Sequence, residues 1–145
     1  MSYVTSFYHV VFTTYRRQPT ITNDRREDLY RVISSRIASK NCKAHIINGV
    51  HDHIHILLSL SPTVALSDLM RDIKSASSMW MKQSGYFPMF EGWGKEYGAF
   101  SLSASHRQAV YDYIMSQQTH HSLYDLETEF KNLILKNGLV YYPWQ

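Results

Sequence analysis

The chain has 145 residues, 44% of them apolar and 19% charged, which suits one soluble domain with a real core and is too short for two comfortable ones. Fifteen Lys and Arg against twelve Asp and Glu leave a net charge of +3, a balance that tolerates a polyanionic partner without demanding one. No run approaches the roughly 18 apolar residues of a membrane span, the N-terminus carries no basic-then-apolar leader, and a lone Cys42 rules out an internal disulfide, so a cytoplasmic, reducing setting with no membrane partner is expected.

Ser6 to Thr14, rich in aromatic and β-branched residues, reads as a first strand, ended by Tyr15-Arg16-Arg17 and Pro19. Asp24 and Glu27 have the spacing of a capping box, and Leu29, Val32, Ile33 and Ile37 return at helical period as far as Lys40-Asn41. Lys43 to Asn48 reads as a second strand, Asn48-Gly49 as a turn and His53 to Leu60 as a third strand. Beyond Ser61-Pro62-Thr63 a second helix runs from Ser67 to Ser84, with Gly85 as its cap. Its apolar arc is Leu69, Met70, Ile73, Ala76 and Trp80; opposite lie Arg71, Lys74, Ser78 and Lys82, readable as a solvated face or as a ridge for phosphates.

Phe87 to Lys95 is an aromatic loop, and Tyr97 to Ser103 a fourth strand. Ser103 or Ser105 starts a third helix that reaches Gln118, and Asp125 to Asn137 forms a fourth, closed by Gly138. The order strand, helix, strand, strand, helix, strand is the split βαβ or ferredoxin-like arrangement. An α+β fold is therefore expected, with a four- to five-stranded antiparallel sheet and extra C-terminal helices, residues 1–145 forming one domain. Helices one and two would share one face of the sheet, leaving the other for a different use.

On the third strand, alternation sends His51, His53, His55 and Leu57 to one side and Ile54, Ile56 and Leu58 to the other. Imidazoles at His53 and His55 are spaced to reach one metal ion, although such a triplet also occurs without a role. In the third helix Tyr113 and Gln117 project the same way, and both would arrive at the histidines if that helix packs on the open face. The alternative is a Tyr and a Gln at the edge of a packing stripe. Tyr111 faces elsewhere. His121, one turn beyond Gln117, and His120 beside it read as a surface pair or as accessory ligands. Apart from Asp52, on the opposite strand face, no carboxylate is placed beside the paired histidines.

These motifs, in this order and fold context, resemble the single-tyrosine transposases of the HUH endonuclease superfamily, of the small insertion-sequence and REP-associated kind. The resemblance rests on His53-Ile54-His55 and on Tyr113-Ile114-Met115-Ser116-Gln117. It extends to Tyr8 through Thr14, to Ile73-Lys74-Ser75 and to Gly94 through Ser101, covering roughly residues 6–120. It implies a DNA transposase in which His53, His55 and Gln117 bind one divalent cation, Mg²⁺ or Mn²⁺, with no nucleotide cofactor. Tyr113 would attack single-stranded or hairpin DNA, leaving a 5′-phosphotyrosine and a free 3′ hydroxyl for later rejoining. Arg16, Arg17, Arg71, Lys74 and Lys82 would hold the DNA backbone, and a homodimer is expected. Two other readings stand beside it: a domesticated member serving host DNA processing, and a non-catalytic single-stranded nucleic-acid-binding module.

Overall fold

In the computed structural model, which describes residues 2–117 and 125–142, one antiparallel sheet contains β1 (Phe7–Thr13), β2 (Lys43–Gly49), β3 (His53–Ser59) and β4 (Gly98–Leu102) in the order β2-β3-β1-β4. The helices are α1 (Arg26–Ser39), α2 (Leu66–Ser84), α3 (Arg107–Met115) and α4 (Leu126–Lys136). This is the expected ferredoxin-like order, with β3 and β1 internal and four strands among the described residues. None of the described helices is long and apolar enough to cross a membrane.

Alternation along the central strands decides which element covers which face. Val10 and Phe12 of β1 and Ile54, Ile56 and Leu58 of β3 are fully buried, packed with Leu29, Ile33 and Ile37 of α1 and Leu69, Met70 and Ile73 of α2. Burial of each such side chain stabilises the fold by about 1.5–3 kcal/mol. The other face is covered as well. Phe130, Leu133 and Ile134 of α4 pack on Val11 and Phe100, and Asn48 ties α3 to β2 by donating to the carbonyls of Ile114 (2.9 Å) and Met115 (3.1 Å).

Three local expectations are corrected. The Asp24/Glu27 capping box does not form: Asn23–Arg25 make a short 3₁₀ turn, and α1 begins after Arg25, which offers no acceptor for its first amides. Arg26 secures this start by donating to the Ile21 carbonyl at 3.0 Å. Asn48-Gly49 is no turn but the end of β2; the chain reverses through Val50 to Asp52, with the Val50 amide donating to the His53 carbonyl at 3.1 Å. At the start of the third helix the hydroxyls of Ser103 and Ser105 bond Nδ1 of His106 instead of capping backbone amides. Gly85 and Gly138 do close their helices, each at φ 75°.

A β-bulge in β2 sets the geometry next to the histidines. Ala44 pairs with Leu58, but Ile46 pairs with Leu57, so His45 is an extra residue on the bulged strand. One inserted residue exchanges the two faces for everything after it. Ile47 therefore joins the core, while Asn48, opposite His55, faces the side where α3 lies.

Gly98 has no room for a side chain, since a Cβ there would lie 2.8 Å from the Phe130 ring. Gly98→Ala is expected to push α4 off β4 and destabilise the protein by about 1–3 kcal/mol. Shrinking the obstacle with Phe130→Leu in the same chain should recover part of that loss. Thermal denaturation of the two single variants and the double variant checks the coupling.

Candidate active site

The site is built on the face of the sheet opposite the α1–α2 core. Register pairs Thr13 with His53, Val11 with His55, His9 with Leu57 and Asn48 with His55, so His9, His53, His55 and Asn48 share that face. The rings of His53 and His55 stand edge to face with centroids 5.1 Å apart. Both are 0% exposed. Each is gripped at Nδ1, His53 by the Asp52 carboxylate at 2.7 Å and His55 by Nε2 of His9 at 2.8 Å. A ring anchored through Nδ1 turns Nε2 toward whatever it is to bind. Asp52 thus stands behind His53 as its hydrogen-bond partner, not on an unrelated face.

Tyr113 reaches the same place from α3, its ring edge-on to His9 at 5.9 Å and to His55 at 6.1 Å. Ile114, fully buried, seats the helix. Gln117 is likewise 0% exposed; its Nε2 donates to the Tyr113 carbonyl at 3.5 Å, and its side chain also bonds the phenol. The predicted His53, His55, Tyr113 and Gln117 are therefore brought together within one chain. His120 and His121 lie outside the described residues.

Glu129, which sequence reasoning missed, completes the cluster from α4. Its Oε1 accepts from the Tyr113 hydroxyl at 2.5 Å and lies 3.1 Å from Nε2 of His55. One ligand atom each from His53, His55 and Glu129 fall within 4.8 Å of one another. The expectation that no carboxylate besides Asp52 stands near the histidines is thus overturned. The signal was present: α4 buries Leu126, Glu129 and Phe130 together, and a charged residue on the inward arc of an amphipathic helix is rarely there without a partner. His9 was also readable, as a histidine inside a buried strand.

The donor set fits a divalent cation. Two imidazole nitrogens and a carboxylate oxygen converge, with the Gln117 amide beside them, and burial strengthens each electrostatic interaction. Burial first, and then Glu129 as hydrogen-bond acceptor and as a charge, raises the Tyr113 pKa well above the usual phenol range, so the hydroxyl keeps its proton in this arrangement.

The basic residues divide into two groups. Arg16 and Arg17 follow β1 directly, past the Thr13 that pairs with His53, and both take left-handed backbone angles (φ 56° and 54°). Arg71, Lys74 and Lys82 belong to α2, on the opposite face of the sheet, and are not brought to the histidines. Arg71 pairs with Asp68 at 2.6 Å. Lys74 donates to the carbonyls of Gly94 (2.9 Å) and Glu96 (3.0 Å), tying down the aromatic loop.

Burial, and then the neighbouring His55, lower the His9 pKa to about 3. The unfolded chain binds that proton near pH 6.5 and the folded one does not, so stability is full above pH 6.5 and falls as the pH drops toward 3. The slope approaches 1.4 kcal/mol per pH unit for one such proton. Urea midpoints between pH 7 and 5 should fall in the wild type and fall less steeply in His9→Gln.

The family of IS200-like transposases matches residues 2–117 of the chain. The ISDra2 transposase TnpA of Deinococcus radiodurans is 23% identical over 117 residues, covering 76% of this chain and 82% of that protein. A transposase crystal structure from Deinococcus radiodurans superposes with TM-score 0.63 at 21% identity, over 81% of this chain and 95% of that one. A REP-associated tyrosine transposase bound to a REP hairpin superposes with TM-score 0.61 at 15% identity, over 100% and 88% of the two chains. A family match spanning the sheet, the paired histidines and the tyrosine helix places this protein among the IS200-like transposases, enzymes that act on DNA.

Proposed function

We propose that this transposase cleaves and rejoins hairpin-flanked single-stranded DNA through a covalent 5′-phosphotyrosine on Tyr113, with a divalent cation, Mg²⁺ or Mn²⁺, bound at His53 and His55. The observation that carries the proposal is the convergence, in one chain, of the Tyr113 hydroxyl, the paired imidazoles and the Glu129 carboxylate. A bound cation would neutralise charge on the phosphodiester oxygens as it builds in the transition state. Tyr113 supplies the nucleophilic oxygen: its bond to phosphorus forms as the bond to the 3′ oxygen breaks. The phenolic proton ends on that departing oxygen, leaving a 3′ hydroxyl. The phosphodiester's bond energy stays in the phosphotyrosine, ready for strand joining.

His53, His55 and Gln117 are buried, and Glu129 nearly so, so a phosphodiester reaches them when a covering element moves, and we take that element to be α4, which lies on this face of the sheet. Glu129 belongs to the helix that must move; Gln117 stays with the segment that carries the nucleophile. The carboxylate is then the oxygen ligand of the closed site and the Gln117 amide that of the DNA-bound one. Arg16 and Arg17, at the His53 end of the site, hold the DNA backbone near it. Arg71, Lys74 and Lys82, expected to do the same, would touch DNA only on the far side of the sheet. A homodimer, expected from the family resemblance, would join two sites, neither of which borrows a residue for the cluster described. Residues 1–145 are taken as one domain.

Mixing the protein with labelled single-stranded hairpin DNA from its own genomic flanks and Mn²⁺ should give an SDS-resistant adduct. The adduct should vanish in Tyr113→Phe and without metal. Its absence from wild type, with binding intact, would favour the non-catalytic reading. In the DNA-free protein Glu129→Ala should weaken Mn²⁺ binding, followed by electron paramagnetic resonance, by about ten- to hundredfold. Because that carboxylate leaves with α4, the same variant should still form the adduct.

A further inference from the structure

His9 has no part in the chemistry just described, yet it is one of the most constrained side chains in the protein. It is 4% exposed, its ring stacks on His55 with centroids 5.0 Å apart, and its Nε2 lies 2.8 Å from Nδ1 of His55. Edge contacts tie the same ring to Phe100 (6.2 Å) and to Tyr113 (5.9 Å). A buried hydrogen bond between two imidazoles admits one proton between the nitrogens, so whichever ring donates there fixes the tautomers of both. If His55 carries the proton on Nδ1, its Nε2 offers a lone pair toward Glu129 and the cation position. The opposite assignment puts a proton on Nε2 and closes that position to a metal.

The geometry points to His9 as a positioning residue that accepts the Nδ1 proton of His55 and so holds His55 as an Nε2 ligand, while its ring edge seats the Tyr113 phenol. The inference rests on the metal-site reading given above. It also sets the two histidine ligands apart. His53 is backed by a carboxylate, which places a negative charge behind the ring, whereas His55 is backed by a neutral ring that fixes its orientation without adding charge. The cluster already holds the carboxylate of Glu129, and a second carboxylate behind His55 would add repulsion in a buried place.

Two variants and one spectrum test it. His9→Leu removes the acceptor and should lower Mn²⁺ affinity ten- to hundredfold; His9→Gln places an amide oxygen where Nε2 stood and should restore affinity to near wild type. Far-UV circular dichroism and the thermal midpoint establish that each variant is folded. Should His9→Leu fail to fold, the wild type decides alone. Long-range ¹H–¹⁵N correlations of its histidines, with Zn²⁺ as the diamagnetic probe, should show His55 protonated on Nδ1 and bound through Nε2. Folded His9→Leu that binds Mn²⁺ like wild type, folded His9→Gln that stays as weak as His9→Leu, or His55 bound through Nδ1 would each overturn the assignment. Failure of wild type to bind Mn²⁺ at all, with His55→Ala as the control, would instead overturn the metal-site reading.

Discussion

The antiparallel register of β1 against β3 is the constraint on which everything else in this molecule depends. It pairs Val10 with Ile56 and Phe12 with Ile54 on the core face, and thereby Val11 with His55 and Thr13 with His53 on the other. A slip of β3 by one residue would turn His53 and His55 into the core and Ile54, Ile56 and Leu58 out of it. At about 1.5–3 kcal/mol for each, that exchange costs roughly 5–9 kcal/mol, comparable with the whole stability of a domain this size. The packing of α1 and α2 on one face therefore holds the chemistry in place on the other.

The second face carries a polar cluster in a buried setting, a combination that is stable only when its members satisfy one another. Asp52 holds His53, His9 holds His55, Glu129 meets both His55 and Tyr113, and Asn48 secures the end of the tyrosine helix. Two imidazoles alone suit softer ions, whereas the Glu129 carboxylate beside them is a hard oxygen donor. Glu129 makes α4 a contributor to the site as well as the cover of Val11 and Phe100.

Outside the cluster, backbone strain concentrates beside it. Arg16 and Arg17 are consecutive residues in the left-handed region, each at a cost of about 1–3 kcal/mol. They are held there by bonds from the Thr14 amide to the Asp52 carbonyl (2.9 Å) and from the Tyr15 amide to the Gly92 carbonyl (2.8 Å). The residue that fixes this loop is thus the neighbour of His53, and two guanidiniums are tethered to the His53 end of the sheet. The α2 ridge has no such link, and its central Lys74 is used to fasten a loop.

Periodicity carried the order of elements, the α+β class and the pairing of His53 with His55, because strand and helix repeats are local properties that neighbouring residues express directly. The third helix, expected to reach Gln118, ends at Met115 with Ser116 as its C-cap, so Gln117 meets Tyr113 from just beyond the helix and not from one turn along it. What the chain could not express locally was decided by tertiary structure. The bulge at His45 reversed the facing of Asn48, a change invisible to any alternation pattern. Helix starts moved where Arg26 and His106 found better partners than the expected caps. Glu129 and His9 joined the site only because α4 docks on Gly98 and β1 pairs with β3. Glu129 stands 74 residues from His55 and His9 stands 46 before it. Residue type and local spacing are written in the sequence, whereas contacts across such distances depend on which faces the register and the bulge turn toward each other.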